Sequence, residues 1–220
     1  MLKNLAQRSL RECLQLYLVT DTSCTRGRPL LEVVDAAVRG GVTCVQLRDK
    51  NLNTRDFLAQ AAALKSLLMP LGIDLVINDR VDIALLCGAQ GVHLGQSDMS
   101  VEEARRLLPS DIFIGWSVET MDDVIRSVHL PLDYLGVSPV FATPTKTDTA
   151  APWGLAGLRQ IRIMSTLPLV AIGGINLSCA ADVLDAGADG LAVVSALCAA
   201  SDPCATAQSF QKIINQRYFR

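Results

Sequence analysis

Residues 168–197 read PLVAIGGINLSCAADVLDAGADGLAVVSAL, and this stretch contains the unit that decides the fold. It holds two short apolar runs, 168–175 and 190–197, and Gly187 stands just ahead of the second run. A glycine after a helical stretch is a typical stop signal, so the pattern predicts a helix that ends at Gly187, shortly before the next strand. Runs that are apolar nearly throughout indicate parallel strands covered on both faces.

Six similar runs precede these two, at residues 16–21, 44–50, 74–80, 91–96, 112–118 and 134–140. The segments between them have the spacing of amphipathic helices, as in Phe57, Ala61, Leu64 and Leu68. Eight strands alternating with helices in about 200 residues predict a single-domain (β/α)8 TIM barrel. An open doubly wound sheet is the alternative, and the regularity of the eight repeats favours closure. We expect residues 1–15 to form a helical N-terminal extension and residues 16–220 to form the catalytic barrel.

The composition excludes several classes of protein. Half of the 220 residues are hydrophobic and 19% are charged, which excludes a disordered chain. The formal net charge of −2 disfavours a nucleic-acid partner. We expect neither a signal peptide nor a membrane span, because no window approaches roughly 18 apolar residues. Seven cysteines, odd in number and never spaced as Cys-x-x-Cys, predict reduced thiols in a cytoplasmic protein.

Polar residues at the strand ends indicate where the site lies, because such barrels carry their active sites at the carboxyl ends of the strands. Gln46, Arg48 and Lys50 alternate at the end of the second strand and therefore share one face. If that face lines the barrel, an amide and two cations meet at its mouth and suit a pyrophosphate-like anion. A solvated strand end with chance alternation is the competing interpretation.

Two aspartates follow neighbouring strands. Asp79 comes directly after the third strand, and Asp98 comes shortly after the fourth. Mg²⁺ typically takes one or two carboxylates together with substrate phosphate oxygens, so the pair predicts a magnesium site. In the alternative interpretation, Asp98 caps the next helix and Asp79 pairs with Arg80.

A second, monophosphate-like site is predicted at the last strands. Gly174 follows the seventh strand and Ser195 the eighth, and the loops there form the common phosphate site of this fold. The long polar loop 142–153 adds the hydroxyls of Thr143 and Thr145 to this site and the cation of Lys146 to the pyrophosphate-like site, although an ordinary surface loop is its alternative.

The two histidines do not suggest a nucleophilic site. We expect His93, inside the fourth strand, to be a hydrogen-bonded core residue and His129 to lie at the surface. No Ser–His–Asp or Cys–His arrangement is evident, which disfavours nucleophilic hydrolysis. A metal and cations without an evident base fit the departure of pyrophosphate, because neutralising the leaving group can carry most of such catalysis.

The order of these motifs resembles the thiamine phosphate synthase family. VQLRDK, INDR, GVHLGQSD, LGVSPVFATPTKTD, AIGGI and GADGLAVVSA follow one another across nearly the whole chain. The resemblance implies a transferase that joins 4-amino-2-methylpyrimidine methyl diphosphate to a thiazole monophosphate. Pyrophosphate leaves first, and the thiazole nitrogen then attacks the pyrimidine-methyl cation to give thiamine phosphate.

The resemblance also implies roles for residues of this chain. The expected cofactor is Mg²⁺, held by Asp79 and Asp98. The residues expected to act on the diphosphate are Arg48, Lys50, Ser117 and Lys146. Further contacts to the pyrimidine substrate are expected from Gln46, Leu47, Asp49 and Asn78. Contacts to the thiazole phosphate are expected from Thr143, Pro144, Thr145, Gly174, Val194 and Ser195.

Other functions remain open at the level of the sequence. A thiazole tautomerase on the same barrel would lack the diphosphate and metal residues and would rely on a histidine. A phosphosugar isomerase or aldolase would need an acid–base pair or a lysine inside a strand, whereas Lys146 lies on a loop. A sensor of phosphate ligands would bind without releasing pyrophosphate. The expected partners are small-molecule substrates, with no nucleic acid and no membrane, and a homo-oligomer remains open.

Overall fold

The computed structural model describes residues 8–143 and 151–218, in which eight parallel strands close into a barrel. Each strand pairs with its neighbours in chain order, and β8 pairs with β1, where Ala192 lies opposite Tyr17. The predicted (β/α)8 barrel is confirmed, and the open sheet is excluded. The strands are β1 Leu16–Val19, β2 Cys44–Leu47, β3 Asp74–Asn78, β4 Gly91–Leu94, β5 Phe113–Val118, β6 Tyr134–Val137, β7 Leu169–Ala171 and β8 Gly190–Val193.

Helices occupy the connections. Ser100 caps α5 as its sequence spacing with Glu103 predicts, accepting a hydrogen bond from the Glu103 N–H at 3.3 Å. Among the described residues, no helix is both long and apolar enough to cross a membrane. The helices are α1 Leu10–Cys13, α2 Leu30–Arg39, α3 Thr54–Leu68, α4 Val81–Cys87, α5 Val101–Leu107, α6 Met121–Ser127, α7 Gly154–Met164, α8 Ala180–Asp185, α9 Ser195–Cys198 and α10 Pro203–Tyr218.

Most strands end two to four residues before the apolar runs do. The predicted eighth strand reached residue 197, but the strand ends at Val193 and α9 begins at Ser195. The seventh run likewise ends as a turn, in which Gly173 and Gly174 have φ of 99° and 67°. The runs continue past most strands because the residues that follow line the mouth of the barrel, although they have left the hydrogen-bonded ladder.

Side chains of each strand alternate between two cores. One set, which includes Leu18, Leu47 and Ile77, is fully buried between the barrel and the surrounding helices. The other set faces the barrel axis and includes Tyr17 and Tyr134. Since both faces of the strands are covered, the strands are apolar nearly throughout instead of alternating in polarity.

Glycines inside the strands make room for aromatic rings at the barrel axis. A Cβ atom at Gly115 would lie 2.0 Å from Cζ of Tyr134, and one at Gly91 would lie 2.3 Å from Cε2 of Phe113. The Phe113 and Tyr134 rings meet edge to face, with centroids 6.1 Å apart. These rings begin β5 and β6, so they fill the amino-terminal part of the barrel and leave the carboxyl end open.

Helix α1 lies against the amino-terminal end of the barrel. Cys13 at its end donates from Sγ to Oδ2 of Asp74 at 2.9 Å, at the start of β3. Arg11 forms an ion pair with Asp189, directly before β8. Of the predicted N-terminal extension, residues 1–7 lie outside the described residues.

We expect Gly115→Ala to lower the free energy of unfolding by about 2–3 kcal/mol, because the new methyl group displaces the buried Tyr134 ring. Urea unfolding of the purified variant measures this loss. Gly88→Ala is the control, since Gly88 has φ of 64° and open space around it. Its cost is the strain of a left-handed backbone at a non-glycine residue, about 1 kcal/mol. Equal losses in the two variants would contradict the proposed role of the interior glycine.

Candidate active site

A cavity of about 570 Å³ opens at the carboxyl end of the barrel. Every strand, or the loop that follows it, contributes to its wall, from Tyr17 on β1 to Val194 after β8. Its volume lies within the roughly 300–1,000 Å³ typical of small-molecule sites. The cavity therefore has the size of a small-molecule binding site.

The end of β2 supplies an amide and two cations to this cavity. Gln46, Arg48 and Lys50 all lie on its wall, the arrangement that their alternation predicted. Gln46 is buried, Arg48 is half-buried and Lys50 is exposed at the rim. The two cations thus lie nearer the mouth than the buried amide.

The structure does not bring the side chains of Leu47 and Asp49 to the cavity. Leu47 is fully buried in the outer core. The Asp49 carboxylate accepts hydrogen bonds from Oγ1 of Thr22 and from the Asn51 N–H, both at 2.9 Å. The reason is the period of a strand, because the alternation that directs Arg48 inward directs its two neighbours outward.

Asp79 and Asp98 meet at the mouth beside these cations. Asp79 has φ of 63°, and Oδ2 of Asp98 accepts a hydrogen bond from the Gly95 N–H at 2.7 Å. Burial, followed by a hydrogen bond and charge repulsion from Asp98, raises the pKa of Asp79 to about 6, although Lys50 and Arg48 act in the opposite direction. Two carboxylates held this close at neutral pH repel each other, and a cation between them relieves that repulsion.

Neither alternative role of these aspartates is found. Arg80 pairs with Asp82 instead of Asp79, with Nη2 and Oδ2 2.6 Å apart, and α5 is capped by Ser100 instead of Asp98. The donor set fits Mg²⁺, which favours carboxylate oxygens and leaves other positions for water and phosphate oxygens. Within the described residues no third histidine, cysteine, aspartate or glutamate joins the pair.

The turns after β7 and β8 form another part of the wall. Gly174, Val194 and Ser195 all line the cavity. A Cβ atom at Gly174 would lie 2.8 Å from Cβ of Phe141, so the turn fits against the start of the β6–α7 loop only without a side chain. At Gly174 the turn therefore lines the cavity without a side chain.

The β6–α7 loop is described at its two ends. Thr143 lies on the cavity wall, and Trp153 donates from Nε1 to the Val118 carbonyl at 3.3 Å. The predicted residues Pro144, Thr145 and Lys146 lie outside the described residues. Asn78 and Ser117, predicted from the resemblance, also line the cavity.

Sequence reasoning missed two tyrosines and misplaced His93. His93 is hydrogen-bonded, as predicted, but it lies on the cavity wall instead of in the core. Its Nδ1 is 2.8 Å from the Tyr134 hydroxyl, and its Nε2 is 2.9 Å from Oγ of Ser117. Tyr17 and Tyr134 line the same cavity. The alternation applied to β2 would have found Tyr17 and His93, because it also directs them toward the barrel axis.

Comparison with known proteins identifies the family. The family model described as thiamine monophosphate synthase matches residues 16–197. The thiamine-phosphate synthase of Albidiferax ferrireducens is 71% identical over 204 residues, covering 93% of each chain. That of Chloroflexus aurantiacus is 48% identical over 201 residues, covering 91% of this chain and 93% of the relative.

A solved structure agrees with these relatives in fold. The thiamine phosphate pyrophosphorylase of Pyrococcus furiosus superposes with a TM-score of 0.87 at 38% identity, covering 94% of this chain and 98% of the other. Fold, cavity and sequence thus lead to one assignment: this chain belongs to the thiamine monophosphate synthase family.

Proposed function

We propose that this protein is a transferase that joins the pyrimidine and thiazole halves of thiamine phosphate and releases pyrophosphate. The observation that carries the proposal is one cavity holding a carboxylate pair, two cations and a glycine turn. A diphosphate needs the carboxylate pair, which would hold a metal ion, and the two cations. The glycine turn suits a monophosphate. The names of the relatives agree with this activity.

The diphosphate binds, in this proposal, between the end of β2 and the two aspartates. Arg48 and Lys50 hold its oxygens, and Asp79 and Asp98 hold Mg²⁺. When bound, Mg²⁺ supplies positive charge that stabilises the departing pyrophosphate. Ser117 and Lys146 act on the same leaving group, Ser117 by donating a hydrogen bond and Lys146 by charge.

The pyrimidine ring enters the barrel, where Gln46 and Asn78 offer polar contacts above the aromatic floor of Tyr17 and Tyr134. Such a floor excludes water, and water would otherwise capture a carbocation-like intermediate. The thiazole phosphate lies at the turns after β7 and β8. Its contacts there come from Thr143, Pro144, Thr145, Gly174, Val194 and Ser195.

A tautomerase that relies on a cavity histidine is the second candidate, because His93 lies on the cavity wall. Both ring nitrogens of His93 are already within hydrogen-bond distance of side-chain hydroxyls, which disfavours its use as a base. The aspartate pair and the β2 cations would have no role in such an isomerisation. The synthase therefore accounts for more of the cavity.

We also infer that the protein works in the cytoplasm on small-molecule substrates. All seven cysteines are free thiols, and three of them, Cys13, Cys44 and Cys198, are buried. Free thiols in this number are typical of a reducing compartment.

The proposal is tested by measuring pyrophosphate release from the pyrimidine diphosphate with Mg²⁺, with and without thiazole phosphate and with EDTA. We expect release coupled to formation of thiamine phosphate and abolished by EDTA. Binding of thiazole phosphate without any release would instead support a tautomerase or a sensor.

We expect Asp79→Asn to lower kcat by on the order of a hundredfold or more, because the variant weakens the charge that holds the cation. Thiazole phosphate binding, measured by calorimetry, should change little. Asparagine tolerates the left-handed backbone at this position, so the fold is retained. The melting temperature of the metal-free variant should rise, since the repulsion with Asp98 is removed.

Asp82→Asn is the matched control, because that exposed carboxylate pairs with Arg80 outside the cavity. Equal losses of turnover and of thiazole phosphate binding in Asp79→Asn would contradict the metal assignment.

We expect cation binding to weaken as pH falls through the pKa of Asp79, which is about 6. Below that pH the carboxyl holds a proton that the cation must displace, so the apparent Kd should rise up to about tenfold per pH unit. Binding of Mn²⁺ to the free enzyme, followed by electron paramagnetic resonance with Mg²⁺ as competitor, measures this directly. Asp79→Asn serves as the control with weak and less pH-dependent binding. A Kd that is constant between about pH 5 and pH 7 would refute the assignment.

A further inference from the structure

A chain of hydrogen bonds crosses the interior of the barrel and ends at Ser117. Nε2 of Gln46 donates to the Tyr17 hydroxyl at 2.9 Å, and that hydroxyl is 3.1 Å from the Tyr134 hydroxyl. The Tyr134 hydroxyl is 2.8 Å from Nδ1 of His93, whose Nε2 is 2.9 Å from Oγ of Ser117. These five side chains come from five different strands, and all line the cavity.

The donor end of this chain fixes the direction of its first two bonds. An amide nitrogen only donates, so the Tyr17 oxygen must accept from Gln46. Tyr17 is 1% exposed, and among the described contacts the Tyr134 oxygen is the acceptor within reach of its proton. Burial raises the pKa of both phenols well above the usual value, so both keep their protons. Tyr17 therefore donates to Tyr134, and Tyr134 donates onward.

The same direction continues through the imidazole. Because Nδ1 of His93 accepts from Tyr134, a neutral ring carries its proton on Nε2 and donates it to Oγ of Ser117. The Ser117 proton then turns away from the ring, toward the cavity. Neighbouring groups hold this arrangement, since Gln96 donates to the Ser117 carbonyl at 2.6 Å. A Cβ atom at Gly136 would lie 2.8 Å from Cε1 of His93, so the glycine leaves space for the imidazole.

We propose that this chain makes the Ser117 hydroxyl a permanent donor to the departing pyrophosphate, with Tyr134 and His93 as positioning residues. The proposal rests on the proposed function, because that function places the leaving group at Ser117. With the other tautomer of His93, the hydroxyl would donate to Nε2 and present only lone pairs to the anion. A donor fixed before the reaction needs no reorganisation when negative charge develops on the leaving group.

The histidine tautomer is the first test, and it needs no substrate. The sequence has two histidines, so His129→Gln leaves His93 as the single imidazole in the protein. Histidine ¹⁵N–¹H correlation spectra of this variant should show the Nε2–H tautomer. Adding Tyr134→Phe should lower its share, because Nδ1 loses its donor. A predominant Nδ1–H tautomer would overturn the proposal even if the enzyme makes thiamine phosphate.

A double-mutant cycle is the second test. Ser117→Ala should lower kcat on the order of a hundredfold, and Tyr134→Phe about tenfold, with little change in the KM for thiazole phosphate. In the Ser117→Ala background, Tyr134→Phe should have no further effect, because Tyr134 acts through Ser117. Additive losses would overturn the proposal.

Phe113→Leu is the matched packing control for this cycle. Its ring meets Tyr134 edge to face without joining the chain of hydrogen bonds. Any loss that it causes should therefore add to that of Ser117→Ala. If Tyr134→Phe were just as additive as Phe113→Leu, Tyr134 would have a packing role alone and the proposal would fail.

Discussion

Closure of the barrel between β1 and β8 is the constraint on which the other features depend. It directs the side chain of every second residue in all eight strands toward a single axis. Bulky rings of Tyr134 and Phe113 can occupy that axis only because Gly115 and Gly91 lack side chains beside them. Since the rings fill the amino-terminal part, the remaining space collects at the carboxyl end and becomes the cavity.

The cavity concentrates charge that would be unfavourable elsewhere in the protein. Asp79 is held in a left-handed backbone conformation, partly buried and beside Asp98, and its raised pKa reflects the electrostatic cost of this position. Local strain and like charges at one point are typical of functional sites, where a ligand or ion compensates them. The polar chain from Gln46 to Ser117 carries no such electrostatic cost, because each of its buried groups is hydrogen-bonded.

Several features were predictable because they depend on local periodicity. Apolar runs separated by helical segments predicted eight strands, and alternation at Gln46, Arg48 and Lys50 placed them on one wall. The same rule also determines the positions of Tyr17 and His93, which face the barrel axis. The ends of the strands were not predictable, because leaving a ladder depends on hydrogen bonds to neighbouring strands, and an apolar composition carries no information about those bonds.

The sequence alone determined the barrel, the family motifs and the residue types at the strand ends, since each follows from short-range pattern and order. Tertiary structure alone decided which of them meet. Asp79 and Asp98 lie on different loops, and tertiary structure brings their carboxylates together by pairing β3 with β4. It also decided that His93 bridges Tyr134 and Ser117, because contacts among three strands depend on the stagger of the whole barrel.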